Sequence, residues 1–203
     1  MQAVETTGSS AEHGREPVIR TLWLHERQKL EAHLLRLDEH DRYMRFGGHV
    51  SDETLQRYCE RIHWWRSHLV GWIDDDGALR AVGEARLLSG GWPREAELAF
   101  SVEAPYQGQG LGTELFRRLL TYARNRAVGR VYVTSLPTNV KMRRIARRFG
   151  LGVEHYAAGE FAARLELRAP DYGSLFNELF DESAAHFIEG LRAPRRWSGG
   201  GAG

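Results

Sequence analysis

Apolar residues recur along this chain at two different spacings, and segments with one spacing alternate with segments with the other. Short runs rich in branched and aromatic residues are typical of strands, whereas apolar residues three or four positions apart predict helices. Over residues 25–37, Leu30, Leu34 and Leu37 fall on one side of a helix. Further helices are predicted after the capping residue Ser51, over 111–126, from 139 to 148 and over 174–191. Strands are predicted over 18–24, in two runs within 69–88, and over 95–102, 131–136, 151–157 and 160–168.

The order of these elements predicts the fold class. One strand and two helices come first, then three strands, then a helix, a strand, a helix and two last strands. Such an order favours an α/β (α+β) domain with a mixed sheet flanked by helices. We expect this domain to span residues 18–170, with residues 1–17 a disordered tail. Residues 171–203 would form a C-terminal helix, packed on the domain or on a partner, followed by a flexible tail.

Composition narrows the class of protein further. The chain has 203 residues and a net charge of +1, so its overall field favours neither nucleic acid nor an acidic membrane. Cys59 is its one cysteine, which suits a reducing, cytoplasmic setting. It has no apolar run long enough to span a membrane. Its nine histidines show no metal-ligand spacing, so no metal is expected.

Three glycines stand where the helix over 111–126 begins, in the stretch YQGQGLGTEL. The first amides of a helix lack internal partners, and the helix dipole adds positive charge there. Glycines would let phosphate oxygens approach these amides, so a pyrophosphate is a natural ligand. Alternatively, the glycines only let a helix pack close to a strand. The lysine of a P-loop is missing after Gly112, and Thr113 stands where a dinucleotide fingerprint needs its last glycine.

The spacing Gln107-x-x-Gly110-x-Gly112 resembles the acetyl-CoA signature of the GNAT superfamily of N-acetyltransferases. The stretch ELAFSVEAPYQGQGLG, residues 97–112, resembles the fourth strand and pyrophosphate loop of that family without a gap. The segment from Asn139 through Met142 to Leu151 resembles its next helix and strand. The run DRYMRFGG, with the helix after Ser51, is similar to the branch of bacterial protein-lysine acetyltransferases. The resemblance covers about residues 18–168.

This resemblance implies a twisted, mostly antiparallel mixed sheet and acetyl-CoA as co-substrate. The amides of residues 107–112 would hold the pyrophosphate of coenzyme A. The pantetheine arm would pair with backbone groups near Phe100 and Val102, as an added strand does, with Asn139 on its other side. The implied cofactor-binding residues are Phe100, Val102, Gln107, Gly108, Gln109, Gly110, Leu111, Gly112, Thr113, Asn139 and Met142.

Acetyl transfer needs a neutral amine, and a lysine of pKa near 10.4 is neutral in only about one molecule in a few thousand at pH 7. Glu97 is the candidate base. Strand alternation places its side chain on the same face of the strand as Glu95, whereas Leu98 and Phe100 point to the other face. The alternative is a glutamate in solvent at a strand edge. A backbone amide near residues 100–102 would stabilise the oxyanion.

The family often has a tyrosine, the acid for the leaving thiolate, where this chain has Ala146. Either no dedicated acid is needed, or Tyr106, Tyr132 or Tyr156 replaces it. Two further groups of residues stay open. The first is a basic face on the helix from 139 to 148, which is either solvated or in contact with the adenosine phosphates. The second is a short aromatic run before the strands of 69–88, which either packs internally or lines an acceptor pocket. The face comprises Lys141, Arg143, Arg144, Arg147 and Arg148, and the run comprises His63, Trp64 and Trp65.

We therefore expect an acetyl-CoA-dependent N-acetyltransferase that acts by direct transfer in a ternary complex. Protein lysine is the first-choice acceptor, because of the branch that the chain resembles. A polyamine, aminoglycoside or amino acid is the alternative acceptor. A non-catalytic acetyl-CoA sensor is the alternative of another class. The protein would be a monomer or homodimer without nucleic-acid or membrane partners.

Overall fold

The computed structural model describes residues 19–88, 90, 92–155 and 161–167. The predicted tails and the predicted helix over 174–191 lie outside these residues. The strands are β1 Ile19–Thr21, β2 Ser67–Ile73, β3 Leu79–Leu87, β4 Arg94–Val102, β5 Val128–Ser135, β6 Gly152–His155 and β7 Phe161–Glu166. The helices are α1 Arg27–Arg36, α2 Glu39–Phe46, α3 Asp52–Arg61, α4 Leu111–Asn125 and α5 Val140–Arg148. Short 3₁₀ turns lie at Leu24–Glu26 and Ala104–Tyr106.

The seven strands form one sheet in the order β1-β2-β3-β4-β5-β7-β6. All neighbouring strands pair antiparallel except β4 and β5, which run parallel. A parallel pair needs a crossover connection, and α4 supplies it between β4 and β5. The predicted α/β class, with a mixed and mostly antiparallel sheet flanked by helices, is therefore confirmed.

Helices cover both faces of the sheet, which gives two apolar cores. Helix α4 buries Leu115, Phe116 and Leu119 in the larger core, against alternate residues of β3, β4 and β5. On the opposite face, α1 and α3 bury Leu34 and Leu55 in a smaller core over β2 and β3. Because a strand sends successive side chains to opposite faces, the two cores use alternate positions of the same strands.

Helix α2 was not predicted from the periodicity of the chain. It has eight residues, and none is fully buried although Phe46 packs against the smaller core, so its apolar positions are too few for a periodicity search to detect. Local chemistry defines it instead. The side chain of Asp38 accepts a hydrogen bond from the backbone amide of Asp41 at its start, and Gly47 ends it in a left-handed conformation. Ser51 caps α3 in the predicted way, through the amide of Thr54.

None of the helices in the described ranges combines the length and the apolar character that crossing a membrane requires.

Candidate active site

The parallel strands β4 and β5 separate halfway along their length. Their pairing runs from Arg94 to Glu97 on β4 and ends at Tyr132 on β5. Beyond that point β4 stays paired with β3 as far as Val102, while β5 stays paired with β7 as far as Ser135. The sheet therefore contains a gap, and the β4 backbone beyond Glu97 lacks a partner strand on that side.

Backbone parity shows which β4 groups face the gap. The carbonyl of Glu95 accepts a hydrogen bond from Leu88 N, and the amide of Glu103 donates to Arg80 O. Odd-numbered residues of β4 therefore point their backbone groups toward β3. Because backbone groups alternate along a strand, Leu98, Phe100 and Val102 point theirs into the gap. These include the two positions predicted to pair with a pantetheine arm.

The glycine loop follows β4 and a short 3₁₀ turn. Two of its glycines are required by their backbone conformation and the third by close packing. Gly108 and Gly110 have φ of +77° and +86°, a left-handed conformation that favours glycine. No atom lies within 4 Å of the position of a Cβ at either residue, so the space beside them is open. Gly112 has an ordinary φ, but a Cβ there would lie 3.2 Å from Cδ1 of Ile145 on α5. The third glycine thus lets two helices approach each other.

The amides at the start of α4 are available to a ligand. The first helical hydrogen bond runs from Glu114 N to Gly110 O. Within the described ranges, the amides of residues 108–113, which include Gln109, Leu111 and Thr113, have no backbone acceptor. This array, with the helix dipole behind it, can bind a diphosphate.

Gln107 links both sides of the gap through its side chain. Its Nε2 donates to Asp41 Oδ2 at 2.7 Å and to the Val102 carbonyl at 2.8 Å. Its Oε1 accepts a hydrogen bond from Lys141. The amide therefore connects α2, the end of β4 and the start of α5. The role of this glutamine includes positioning these three elements around the gap.

Three other predicted cofactor residues are occupied in packing or capping. Asn139 caps α5, and its Oδ1 accepts a hydrogen bond from Met142 N at 3.0 Å. The amide group of that side chain keeps its own donors. Met142 is 8% exposed and belongs to the larger core, as does Leu111. Their side chains thus hold α4 and α5 together on the far side of the loop.

A cavity of about 220 Å³ lies at the gap, and we call it the first cavity. Glu97, the predicted base, contributes to its wall together with Leu98 and Ala99. The Glu97 carboxylate is 30% exposed and forms an ion pair with Arg86 on β3. The hydrogen bond to Glu97 raises the pKa of Arg86. The other wall residues are Met44, Arg45, Phe46, Gly47, Tyr58, Glu84, Arg86, Thr134 and Ser135.

Glu84 is a buried carboxylate in this wall that sequence reasoning did not select. Its oxygens accept hydrogen bonds from Tyr58 Oη and, at 2.9 Å, from Ser67 Oγ. Arg45 from α2 lies 3.4 Å away. Burial raises the pKa of Tyr58, so the phenol stays protonated and donates. The acidic residue within the apolar run AVGEARLL was a signal that could have identified this site.

Ser135, at the end of β5, is the second wall residue that sequence reasoning did not select. Its side chain is buried, with 7% of the residue exposed, yet Oγ has no hydrogen-bond partner in the described part of the chain. A buried hydroxyl without a partner costs stability, so such groups deserve a functional explanation. Two of the candidate tyrosines are already engaged: Tyr106 donates to Asp74 and Tyr132 to Glu95. Tyr156 lies outside the described residues.

A buried charge network anchors β4 just before the loop. The Glu103 carboxylate bonds with three residues on two elements, α1 and β3. Its Oε1 lies 3.1 Å from His33 Nδ1 and 2.9 Å from Arg36 Nε, and its Oε2 lies 3.2 Å from Arg80 Nη1. Burial alone would raise the pKa of Glu103, but the hydrogen bonds from His33 and Arg36 outweigh it and lower the pKa to about 2. Burial lowers the pKa of His33, so this ring is neutral and its Nε2 bonds with Ser101 Oγ.

Glu95, two residues before Glu97 on β4, is half-buried in a polar cluster. Its carboxylate accepts hydrogen bonds from Arg130 at 2.7 Å and from Tyr132 at 3.0 Å. Among the described residues, no group of three or more His, Cys, Asp or Glu side chains is arranged to hold a metal ion.

Comparison with known proteins identifies the class that this fold and site define. The family model described as Acetyltransferase (GNAT) domain matches residues 20–152, which is more than half of the chain. The chain therefore belongs to the GNAT family of acetyltransferases. Members of this family use acetyl-CoA as co-substrate and transfer its acetyl group to an acceptor.

Relatives and solved structures agree with this assignment. An acetyltransferase of Pseudomonas aeruginosa is 27% identical over 144 residues, which cover 70% of this chain and 77% of that protein. The GNAT domain of S. lividans PAT has a TM-score of 0.63 at 20% identity, over 73% of this chain and 89% of that chain. The ribosomal-protein-alanine N-acetyltransferase of Brucella melitensis has a TM-score of 0.56 at 15% identity, over 73% and 99%. At these identities the structures show a common fold.

Proposed function

We propose that this acetyltransferase acts on a primary amine of a protein, with the lysine side chain as the first-choice acceptor. Transfer would be direct, in a ternary complex of protein, acetyl-CoA and acceptor. The observation that carries the proposal is the gap between β4 and β5, because Glu97 and the open part of β4 border one cavity there and the glycine loop follows the same strand. We further propose a cytoplasmic monomer or homodimer.

The first part of the proposal concerns how the co-substrate is held. The amides of residues 108–113 would bind the pyrophosphate, and the open groups of Phe100 and Val102 would pair with the pantetheine. The Val102 carbonyl already accepts from Gln107, so its amide is the group left for a ligand. These contacts would place the thioester in the first cavity.

The second part concerns the chemistry. The acceptor nitrogen attacks the thioester carbonyl, an N–C bond forms, and the C–S bond breaks. The nitrogen loses one proton, which Glu97 would accept directly or through a water molecule. The ion pair with Arg86 must open or shift for this step. Ser135 Oγ would donate a hydrogen bond to the departing thiolate, which gains its proton from solvent.

The choice of a protein acceptor rests on similarity in part. Two neighbours of the same fold, a ribosomal-protein-alanine N-acetyltransferase and a ribosomal-protein-S5-alanine acetyltransferase, have names that give a protein as the acceptor. The resemblance to lysine-acetylating proteins at residues 41–48 points the same way. Two observations favour a second candidate function, an acetyl-CoA sensor without turnover: the candidate base is paired with Arg86, and Ala146 stands where the family often has its acid.

The experiment measures coenzyme A release from acetyl-CoA, with the protein fraction and the small-molecule fraction of a cell extract as separate acceptors. We expect release with the protein fraction, and a loss of about a hundredfold or more in kcat for Glu97→Gln. Glu95→Gln is the matched control, because Glu95 lies on the same face of β4 but does not line the cavity. Release with small molecules alone would contradict the protein acceptor. Binding without release in either fraction would support the sensor.

A further inference from the structure

A second cavity, of about 330 Å³, adjoins the first on the face of the sheet that α3 covers. The two cavities share Tyr58, Glu84 and Arg86, so the shared wall separates the second cavity from Glu97 by little more than one side chain. The remaining wall residues of the second cavity are Arg61, Ile62, His63, Arg66, Ser67, Leu87 and Leu88. The cavity lies between the end of α3, the start of β2 and the second half of β3.

The second cavity carries an excess of positive charge. Arg61, Arg66 and Arg86 line it, and Glu84 is the one acidic residue among the described residues that do so. Glu84 is already engaged by Tyr58 Oη and Ser67 Oγ and lies near Arg45. Arg86 is paired with Glu97. Arg61 and Arg66 have no ion-pair partner within the ranges that the structure covers.

We infer that the second cavity binds a carboxylate of the acceptor, next to the amine that is acetylated. Guanidinium groups bind carboxylates through two parallel hydrogen bonds, and Ile62, Leu87 and Leu88 would pack against the alkyl part of the same side chain. This inference rests on the proposed function and specifies its acceptor as a lysine beside an acidic residue. The carboxylate of a free amino acid is the other source of the same chemistry.

The inferred carboxylate site disfavours acceptors that carry several positive charges and favours those with a carboxylate near the amine. Polyamines and aminoglycosides carry several positive charges, and two guanidinium groups without partners would repel them. A lysine flanked by arginine would be disfavoured for the same reason. A lysine flanked by aspartate or glutamate would gain both attraction and alignment of its amine toward Glu97.

The test uses peptides with blocked ends, each with one lysine flanked on both sides by Glu, Gln or Arg. For the wild type, we expect kcat/KM for the Glu peptide to be about fivefold higher than kcat/KM for the Gln peptide, and higher still relative to the Arg peptide. These ratios should fall at high salt. Arg61→Glu with Arg66→Glu should abolish or reverse this order. Arg57→Glu is the control for each single reversal, since it changes the charge of α3 by the same amount as Arg61→Glu but lies outside both cavities. Arg61→Gln with Arg66→Gln covers the case in which charge reversal disturbs folding.

A binding measurement makes the test independent of turnover. A fluorescent Glu peptide is titrated with the protein in saturating coenzyme A, and anisotropy should show weaker binding to the double variants but not to the control. Equal rates and equal affinities for all three peptides would overturn the inference while leaving lysine acetylation intact. Acetylation of free glutamate alone, lost in the double variants, would support the carboxylate site and contradict the protein acceptor. Binding that depends on both arginines without any transfer would support the site and contradict the proposed function.

Discussion

Replacement of Glu103 by glutamine tests whether the buried charge network holds β4 in place before the glycine loop. The carboxylate is 7% exposed and contacts His33, Arg36 and Arg80. Its pKa is about 2 in the folded protein, against 4.5 in a free glutamate. A shift of this size corresponds to about 3 kcal/mol of folding free energy above pH 5.

The dependence on pH has a definite sign. A carboxyl group whose pKa is lowered by folding stabilises the protein when it is ionised in both states, which holds above its unfolded pKa of 4.5. The contribution falls as the pH falls from 4.5 toward 2 and is absent below that. We therefore expect Glu103→Gln to lower the free energy of unfolding by about 3 kcal/mol at pH 7, and by progressively less at pH 4 and pH 3.

The assay is urea unfolding followed by circular dichroism, for the wild type and the variant at pH 7, 4 and 3. Glu166→Gln serves as the control, because that carboxylate is 70% exposed and its ion pair with Arg130 spans 3.7 Å. Exposed pairs contribute little, so the control should change little at any pH. A difference between Glu103→Gln and wild type that stays constant from pH 7 to pH 3 would refute the reasoning.

Two further substitutions address the loop and the first cavity. Gly110→Ala places a side chain at a φ of +86°, which should lower the free energy of unfolding by about 1–2 kcal/mol. It should also weaken coenzyme A binding, as measured by calorimetry. Gly48→Ala is the control, because Gly48 has an ordinary φ and open space at the position of its Cβ. It should change neither stability nor coenzyme A binding. Equal effects of Gly110→Ala and Gly48→Ala would exclude the conformational explanation. Ser135→Ala should lower kcat about tenfold or more without lowering the melting temperature, because the hydroxyl it removes has no partner. A fall in melting temperature with an unchanged kcat would assign Ser135 a structural role.

Much of the fold could be predicted because the signals are local. The helix at Leu111–Asn125 carries an apolar face in its own sequence, and the strand at Arg94–Val102 alternates by residue. The glycine loop joins these two elements, so its position at the mouth of a helix followed directly. A family resemblance in the same stretch then led to the GNAT assignment, which the comparisons confirm. The branch within the family stays a prediction.

The parts that could not be predicted depend on contacts between distant residues. Helix α2 has no buried face, and its position depends on its cap and on the contact between Asp41 and Gln107. In the sequence, Glu84 is one polar residue within a strand, and only the fold shows that Tyr58 on α3 donates a hydrogen bond to it. The missing partner of Ser135 is a property of the whole gap, and no pattern in the neighbouring residues reveals it. For the same reason, sequence spacing did not reveal the arginines around the second cavity.

The most direct test of the central claim is the mass of a blocked lysine peptide after incubation with the protein and acetyl-CoA. The account predicts that the wild type adds one acetyl group to the lysine amine and that Glu97→Gln does so far more slowly, while Glu95→Gln keeps the wild-type rate. Acetyl-CoA bound at the glycine loop with no mass added to any amine acceptor would contradict it.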